Sequence, residues 1–164
     1  EKPVVCAVNG VAAGAGANIA LACDIVIAAR SASFIESFSR LGLIPDSGGT
    51  FHLPRLVGLA RAKGLAMLGP KVPAEQAQAW GMIWQVVEDE ELMATALGLA
   101  EQMATQPTRG FAFTKQAFAA SAANTLDEQL ELEKELMRAA GKTHDYQEGV
   151  KAFLEKRTPI YRGE

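Results

Sequence analysis

The sequence predicts an α/β fold with its strands early and its helices late, and three observations carry the prediction. Residues 4–8 (Val-Val-Cys-Ala-Val) and 24–29 (Asp-Ile-Val-Ile-Ala-Ala) are short β-branched runs of the kind found in strands buried on both faces. Residues 16–23, rich in Ala and Leu, suit a short helix between them, which gives strand, helix, strand and a right-handed crossover. From Gly49 onward the apolar residues recur at helical rather than strand spacing.

The remaining elements follow in order. Residues 33–38 (Ser-Phe-Ile-Glu-Ser-Phe) form a further extended segment that ends before Gly42. Helices are predicted over 50–57, 60–68 and 73–80, the last with a proline in its first turn and Gly81 after its end. Residues 83–87 read as one more strand. Over 90–105 a helix lines up Leu92, Met93, Ala96, Leu97, Leu99, Ala100 and Met103 on one face, and Pro107 breaks it. Thr125-Leu-Asp-Glu128 is a capping box, opening a helix whose stripe mixes Leu126, Leu130, Leu132, Leu136 and Met137 with Glu133 and which Gly141 ends. A last helix over 144–156 is polar apart from Tyr146, Val150, Phe153 and Leu154. No low-complexity linker or internal repeat interrupts the chain.

At 164 residues, with 49% hydrophobic and 21% charged residues, the chain is long enough for one sizeable core and too apolar to be disordered. A net charge of -3 with scattered basic residues argues against a nucleic-acid or anionic-membrane partner. Cys6 and Cys23 lie in apolar runs without metal-ligand spacing and are expected as buried free thiols. His52 and His144 have no Ser or Cys partner at motif spacing; surface or capping roles are expected, and no metal site. No secretory signal opens the chain and no apolar run reaches transmembrane length, so a cytoplasmic location is the default expectation.

Two segments concentrate the residues that could do chemistry. In Asn9-Gly-Val-Ala-Ala-Gly-Ala-Gly-Ala-Asn18, small residues join strand to helix, so amides at the helix start can approach a ligand oxygen closely. In Gly42-Leu-Ile-Pro-Asp-Ser-Gly-Gly-Thr50, one acid, Asp46, stands in an otherwise apolar, glycine-rich turn. Together they describe an oxyanion hole with a carboxylate beside it, equipment for moving protons next to a thioester carbonyl. Each segment also has a plainer reading. The glycines can simply let strand and helix pack, because Gly10, Gly14 and Gly16 miss the dinucleotide fingerprint (position 19 is Ile) and no Gly-Lys-Ser/Thr follows for a phosphate loop. Pro-Asp-Ser-Gly is also ordinary turn and N-cap chemistry. Trp80, Met82, Ile83 and Trp84 are expected in the core.

Five blocks taken in order carry a resemblance: Val8-Asn-Gly-Val-Ala-Ala-Gly-Ala-Gly-Ala17, Cys23-Asp-Ile-Val-Ile-Ala-Ala29, the Asp46 turn, Trp80-Gly-Met-Ile-Trp-Gln-Val-Val87 and Gly149-Val-Lys-Ala-Phe-Leu-Glu-Lys-Arg157. With them the chain resembles the crotonase (enoyl-CoA hydratase/isomerase) superfamily, and within it the bacterial 1,2-epoxyphenylacetyl-CoA isomerases of phenylacetate breakdown. The resemblance implies the C-terminal part of a crotonase-like ββα spiral over 1–89. Over 90–164 it implies a helical region that covers CoA and builds trimers, paired as hexamers. It also implies a fragment, lacking the early strands and the segment that supplies the family's other oxyanion amide.

The site residues it implies are specific. The amide of Ala15 aligns with the oxyanion donor, flanked by Gly14 and Gly16, and Asp46 stands at the catalytic aspartate, where Leu43, Ile44 and Pro45 would enclose it and raise its pKa. Enoyl-CoA hydratases use two glutamates whose positions here hold Asn18 and Phe38, neither able to act as a base, so a one-base isomerase fits better than hydration, with Phe38 excluding water from the pocket. Phe153 and Lys156 match residues placed around the CoA adenine and phosphates. Glu36 shares a face with Phe38 in an extended strand and could bring a second carboxylate; a solvated or salt-bridged surface role is the expectation. The substrate class is an acyl-CoA, with no separate cofactor because CoA arrives as part of the substrate. The expected reaction takes 1,2-epoxyphenylacetyl-CoA to oxepin-CoA; a 3-enoyl-CoA to 2-enoyl-CoA shift, hydration, and a non-catalytic CoA-binding or oligomerisation module are the alternatives.

Overall fold

The computed structural model describes residues 2–164. Its chain writes strands into two sheets by turns: β1 (Val5–Val8), β2 (Val11–Ala13), α1 (Ala15–Leu21), β3 (Ile25–Ala29) and β4 (Ser33–Ile35), then α2 (Gly49–Val57) and α3 (Leu59–Leu68). β5 (Val72–Pro73), α4 (Ala74–Ala79) and β6 (Gln85–Val87) follow. One sheet has the order β1-β3-β6, parallel throughout, with Val5 opposite Ile25 and Ile27 opposite Gln85. The other has the order β2-β4-β5, where β4 runs parallel to β2 and antiparallel to β5. Each ββα passage thus leaves one strand in each sheet before its helix, the spiral the resemblance implied.

The central strand β3 is the apolar run Ile-Val-Ile-Ala-Ala, and Val26, Ile27, Ala28 and Ala29 are all buried, as a strand covered on both faces requires. Around it Leu21, Phe34, Leu53, Val57, Leu65, Val72, Met82, Ile83 and Leu92 close one core. One strand was not predicted here, and two expectations fail. Val11-Ala-Ala13 has too little β-branched character to be legible as a strand, and it becomes one because β4 pairs with it. The extended segment predicted to residue 38 stops at Ile35; Ser37–Leu41 instead forms a 3-10 helix closed by Gly42 at φ 69°. Trp84, expected in the core, is 69% exposed, while Trp80 packs partly against the core with the Arg61 guanidinium 5.3 Å over its ring.

Two compact units divide the chain, one of Val4–Leu99 and one of Ala100–Glu164 with residues 2–3. The division falls inside α5 (Leu92–Ala104), ten residues beyond the predicted 89/90 boundary, because Leu92 and Ala96 are buried in the core of the first unit. Met93 and Leu97 on the same helix are exposed, so the predicted apolar face is narrower than its sequence pattern. Cys6 and Cys23 are free and half-buried; burial, with Cys23 adding, pushes the Cys6 thiol up to about 11.

The second unit holds α6 (Thr108–Ser121), α7 (Leu126–Ala140) and α8 (His144–Glu155). Sequence reasoning missed α6, because Pro107 ends one helical pattern and also sits at the N-cap of the next. The capping box of α7 is complete: Thr125 Oγ1 accepts from the Glu128 amide at 3.4 Å, and the Glu128 carboxylate accepts from the Thr125 amide at 2.7 Å. Leu126, Leu130 and Met137 of α7, and Phe153 and Leu154 of α8, are exposed in the chain by itself. Among the described residues no helix is long and apolar enough to cross a membrane.

After α8 the chain folds back and is held by two carboxylates of that helix. Asp145 is buried and accepts from the amides of Arg162 at 2.7 Å and Gly163 at 2.8 Å. Burial pushes this carboxyl up, but the two amides and His144 outweigh it and leave it below the usual range. Glu148 receives a bidentate pair from Arg157 (2.6 and 2.8 Å) and the Ile160 amide at 2.9 Å. The Arg157 guanidinium, and then the Ile160 amide, bring Glu148 down to about 2 from 4.5. A depressed carboxylate stabilises the fold above its unfolded value and loses that contribution as pH falls through the folded one, so this tail is expected to loosen between pH 4.5 and about 2. Acid titration followed by hydrogen exchange of the tail amides checks it: Glu148→Gln should remove the pH dependence at the Ile160 amide and leave that of the Arg162 and Gly163 amides, which Asp145 holds, and an unchanged titration at Ile160 would refute the assignment.

Candidate active site

The candidate site lies within the first unit, where the start of α1, the 3-10 segment and the Asp46 turn come together. Gly14 is the N-cap of α1 at φ 54°, ψ -125°, a conformation that side chains with a Cβ rarely adopt. Its amide donates to the Ile35 carbonyl at 2.8 Å, which ties the mouth of the helix to the end of β4. A Cβ there would stand 3.4 Å from Ser37 Oγ and 3.5 Å from Phe38 Cζ, so the bare glycine lets the 3-10 segment approach. Ala15 is the first helical residue, and like the first amides of any α-helix its N–H has no acceptor within the helix. Phe38, buried, lays its ring behind this helix start, whereas Gly16 is exposed.

Asn18 stands three residues into α1, on the same side as Ala15, and is fully buried. Its Nδ2 donates to the backbone carbonyl of Asp46 at 3.1 Å and to Glu36 Oε2 at 3.5 Å. The Asp46 carbonyl also accepts from the Gly49 amide at 2.7 Å, which closes a turn through Ser47 (φ 48°) and Gly48 (φ 80°). A left-handed serine is strained, and the turn keeps that geometry because it is pinned at both ends. Backbone atoms therefore do the work of the turn, and Gly48 rather than Asp46 is the N-cap of α2. Among the described residues the Asp46 carboxylate has no hydrogen bond and no ion pair.

Two expectations about this region are corrected. Asp46 is exposed, and so are Leu43 and Ile44 (59% and 78%), so the apolar enclosure predicted around the carboxylate is absent among the described residues. Glu36, expected at the surface in solvent or a salt bridge, is 3% exposed and makes no ion pair among the described residues. The chain leaves the strand before Glu36, which turns its side chain under the Asp46 turn. Burial pushes its carboxyl up, the Asn18 hydrogen bond pulls down, and the negative Asp46 pushes up again. Arg40, four residues on, is spaced to pair with Glu36 on a helix but donates to the Gly69 carbonyl at 2.8 Å. An acid set between Phe34-Ile35 and Phe38 was the one sequence signal for this burial.

Phe153 and Lys156 belong to the second unit. Phe153 is 82% exposed and lines a groove of about 450 Å³ with Tyr146 and Tyr161, and Lys156 ends α8 as an exposed residue at φ 55°. His52 is half-buried with its ring against Gly48, and His144 contacts Asp145 at 3.4 Å. Among the described residues no group of three metal-ligating side chains converges.

The sequence pattern of the enoyl-CoA hydratase/isomerase family matches residues 1–164. The chain belongs to the enoyl-CoA hydratase/isomerase family. Among family members, a 1,2-epoxyphenylacetyl-CoA isomerase of Escherichia coli is 62% identical over 99% of this chain and 62% of its own length. A probable enoyl-CoA hydratase of Rhodobacter capsulatus is 50% identical over 98% of this chain and 63% of its own. The crystal structure of an enoyl-CoA hydratase from Bacillus anthracis superposes with a TM-score of 0.94 at 40% identity, covering 99% of this chain and 63% of that one. The chain thus spans less than two thirds of the length of these family members.

Proposed function

We propose that the protein is an acyl-CoA isomerase that converts 1,2-epoxyphenylacetyl-CoA to oxepin-CoA, and that residues 4–99 carry its base and one of its oxyanion donors. The observation that carries the reading is the Asp46 turn: its backbone is pinned to α1 and α2 while, among the described residues, its carboxylate is left unengaged. In the proposed reaction Asp46 takes the proton from the carbon next to the thioester. The Ala15 amide, at the positive end of α1 between Gly14 and Gly16, stabilises the enolate oxygen. The carbon–carbon bond shared by the epoxide and the six-membered ring opens as the ring expands, and Asp46 returns the proton to a distal carbon of the conjugated system. Asn18 holds the base in register with the helix start, and Phe38 walls the pocket. Lys156 is assigned to a CoA phosphate and Phe153 to the adenine. No resident cofactor is needed, since CoA comes with the substrate. A homotrimer, in pairs, located in the cytoplasm, completes the proposal; the exposed apolar residues of α7 and α8 support self-association.

Hydration is disfavoured because Asn18 and Phe38 offer no base, and the buried Glu36 is biased toward its neutral form. The test is product analysis of the full-length protein with three thioesters. Ring expansion of 1,2-epoxyphenylacetyl-CoA is the expected result. Preferred turnover of a 3-enoyl-CoA would keep the chemistry and change the substrate, and formation of a 3-hydroxyacyl-CoA from a 2-enoyl-CoA would overturn the proposal.

A further inference from the structure

Glu36 is the buried titratable group that a one-base proton shuttle leaves without a task. Among the described residues its Oε1 is buried with no hydrogen-bond partner, and Oε2 receives a single long bond, 3.5 Å, from Asn18. An ionised carboxylate with one long hydrogen bond and no counter-charge is costly in such a place, whereas a neutral carboxylic acid is tolerated. The neutral form carries no charge to be solvated, and it still accepts the Asn18 Nδ2 hydrogen at Oε2. Burial and the neighbouring charge favour the neutral form, against the single Asn18 hydrogen bond, which favours the ionised one. From α1 it meets Asn18, which is neutral; from the turn it senses Asp46, which is negative; on its own segment Arg40 is engaged by the Gly69 carbonyl.

We propose that Glu36 is a positioning residue of this site and acts in its neutral form through Asn18, holding the amide whose other hydrogen bond fixes the backbone carbonyl of Asp46. The inference rests on the reading of Asp46 as the base. One Asn18 Nδ2 hydrogen serves each contact, so the orientation of the amide, and with it the height of the turn over the start of α1, depends on Glu36 staying in place. Ionising Glu36 adds a second negative charge next to Asp46 and leaves a buried charge with one long hydrogen bond, which favours its displacement from Asn18. Activity is therefore expected to fall as pH rises through the raised folded-state value of Glu36. Stability follows the same sign: the folded state holds the Glu36 proton more tightly than the unfolded one, so this contribution is complete below pH 4.5 and is lost as pH rises through the folded value.

The experiment measures exchange of the α-proton of phenylacetyl-CoA, as a function of pH, in the full-length protein and three variants. Glu36→Gln, uncharged at every pH and of the same shape, should keep kcat within about threefold at low pH and lose the alkaline decline, whereas Glu36→Leu should lower kcat by about tenfold or more with KM retained. Equilibrium unfolding adds a reading independent of activity: the advantage of Glu36→Gln over the parent should grow as pH rises through the raised folded-state value of Glu36. An alkaline limb unchanged in Glu36→Gln, or parent kcat in Glu36→Leu, would overturn the inference. Loss of all exchange in Glu36→Gln would overturn it too, by making Glu36 an ionised base. Asp46→Asn serves as the reference. If it is inert while Glu36→Gln keeps the parental pH profile, only the role of Glu36 falls; if it exchanges normally, the reading of Asp46 falls and takes this inference with it.

Discussion

Asp46→Asn is expected to lower α-proton exchange by on the order of 10²- to 10⁴-fold, the range a positioned base contributes. The same substitution should leave stability within about 0.5 kcal/mol, because the native carboxylate makes no hydrogen bond or ion pair among the described residues and asparagine is equally at home in such a turn. That pairing of a large kinetic effect with a negligible thermodynamic one separates a base from a structural turn residue. The carbonyl of residue 46, which does the structural work by accepting from Asn18 and Gly49, is untouched by the change. Exchange in the variant as fast as in the parent would remove Asp46 from the mechanism.

Gly49→Ala is expected to have the second largest effect, through the other end of the same turn. Gly49 opens α2 where α1 crosses it, and a Cβ on it would stand 2.3 Å from Asn18 Nδ2, 2.4 Å from Cγ and 2.5 Å from Oδ1. Asn18 is fully buried and has nowhere to retreat without surrendering its bond to the Asp46 carbonyl. The overpacking should cost about 1–3 kcal/mol, read from denaturant midpoints at constant m-value. Displacement of the turn should lower kcat by up to about a hundredfold while KM changes little, since the base and not the CoA contacts has moved. Adding Asn18→Ala to Gly49→Ala should restore much of the stability by relieving the clash and none of the activity, because the tether is then absent. Parent-like stability and kcat in the single variant would show that Asn18 can turn aside freely.

What the sequence by itself determined is what depends on neighbours a few residues apart. The capping box at Thr125, the helix ends at Gly81 and Gly141, and the buried run of β3 were legible because hydrogen bonds and backbone angles within one turn, or an unbroken apolar stretch, fix them. The glycine-rich entry to α1 and the lone acid of the Asp46 turn were legible for the same reason, as unusual residues in short segments. Tertiary structure alone decided the rest. Val11–Ala13 is a strand only because β4 offers it a ladder, and Trp84 faces outward although its neighbours Met82 and Ile83 are core. Glu36 is buried because β4 stops one residue before it and because Asn18, 18 residues earlier, and the Asp46 turn, ten residues later, close over it. A side chain's burial and ionisation are properties of everything packed around it, and no local pattern of residues carries that information.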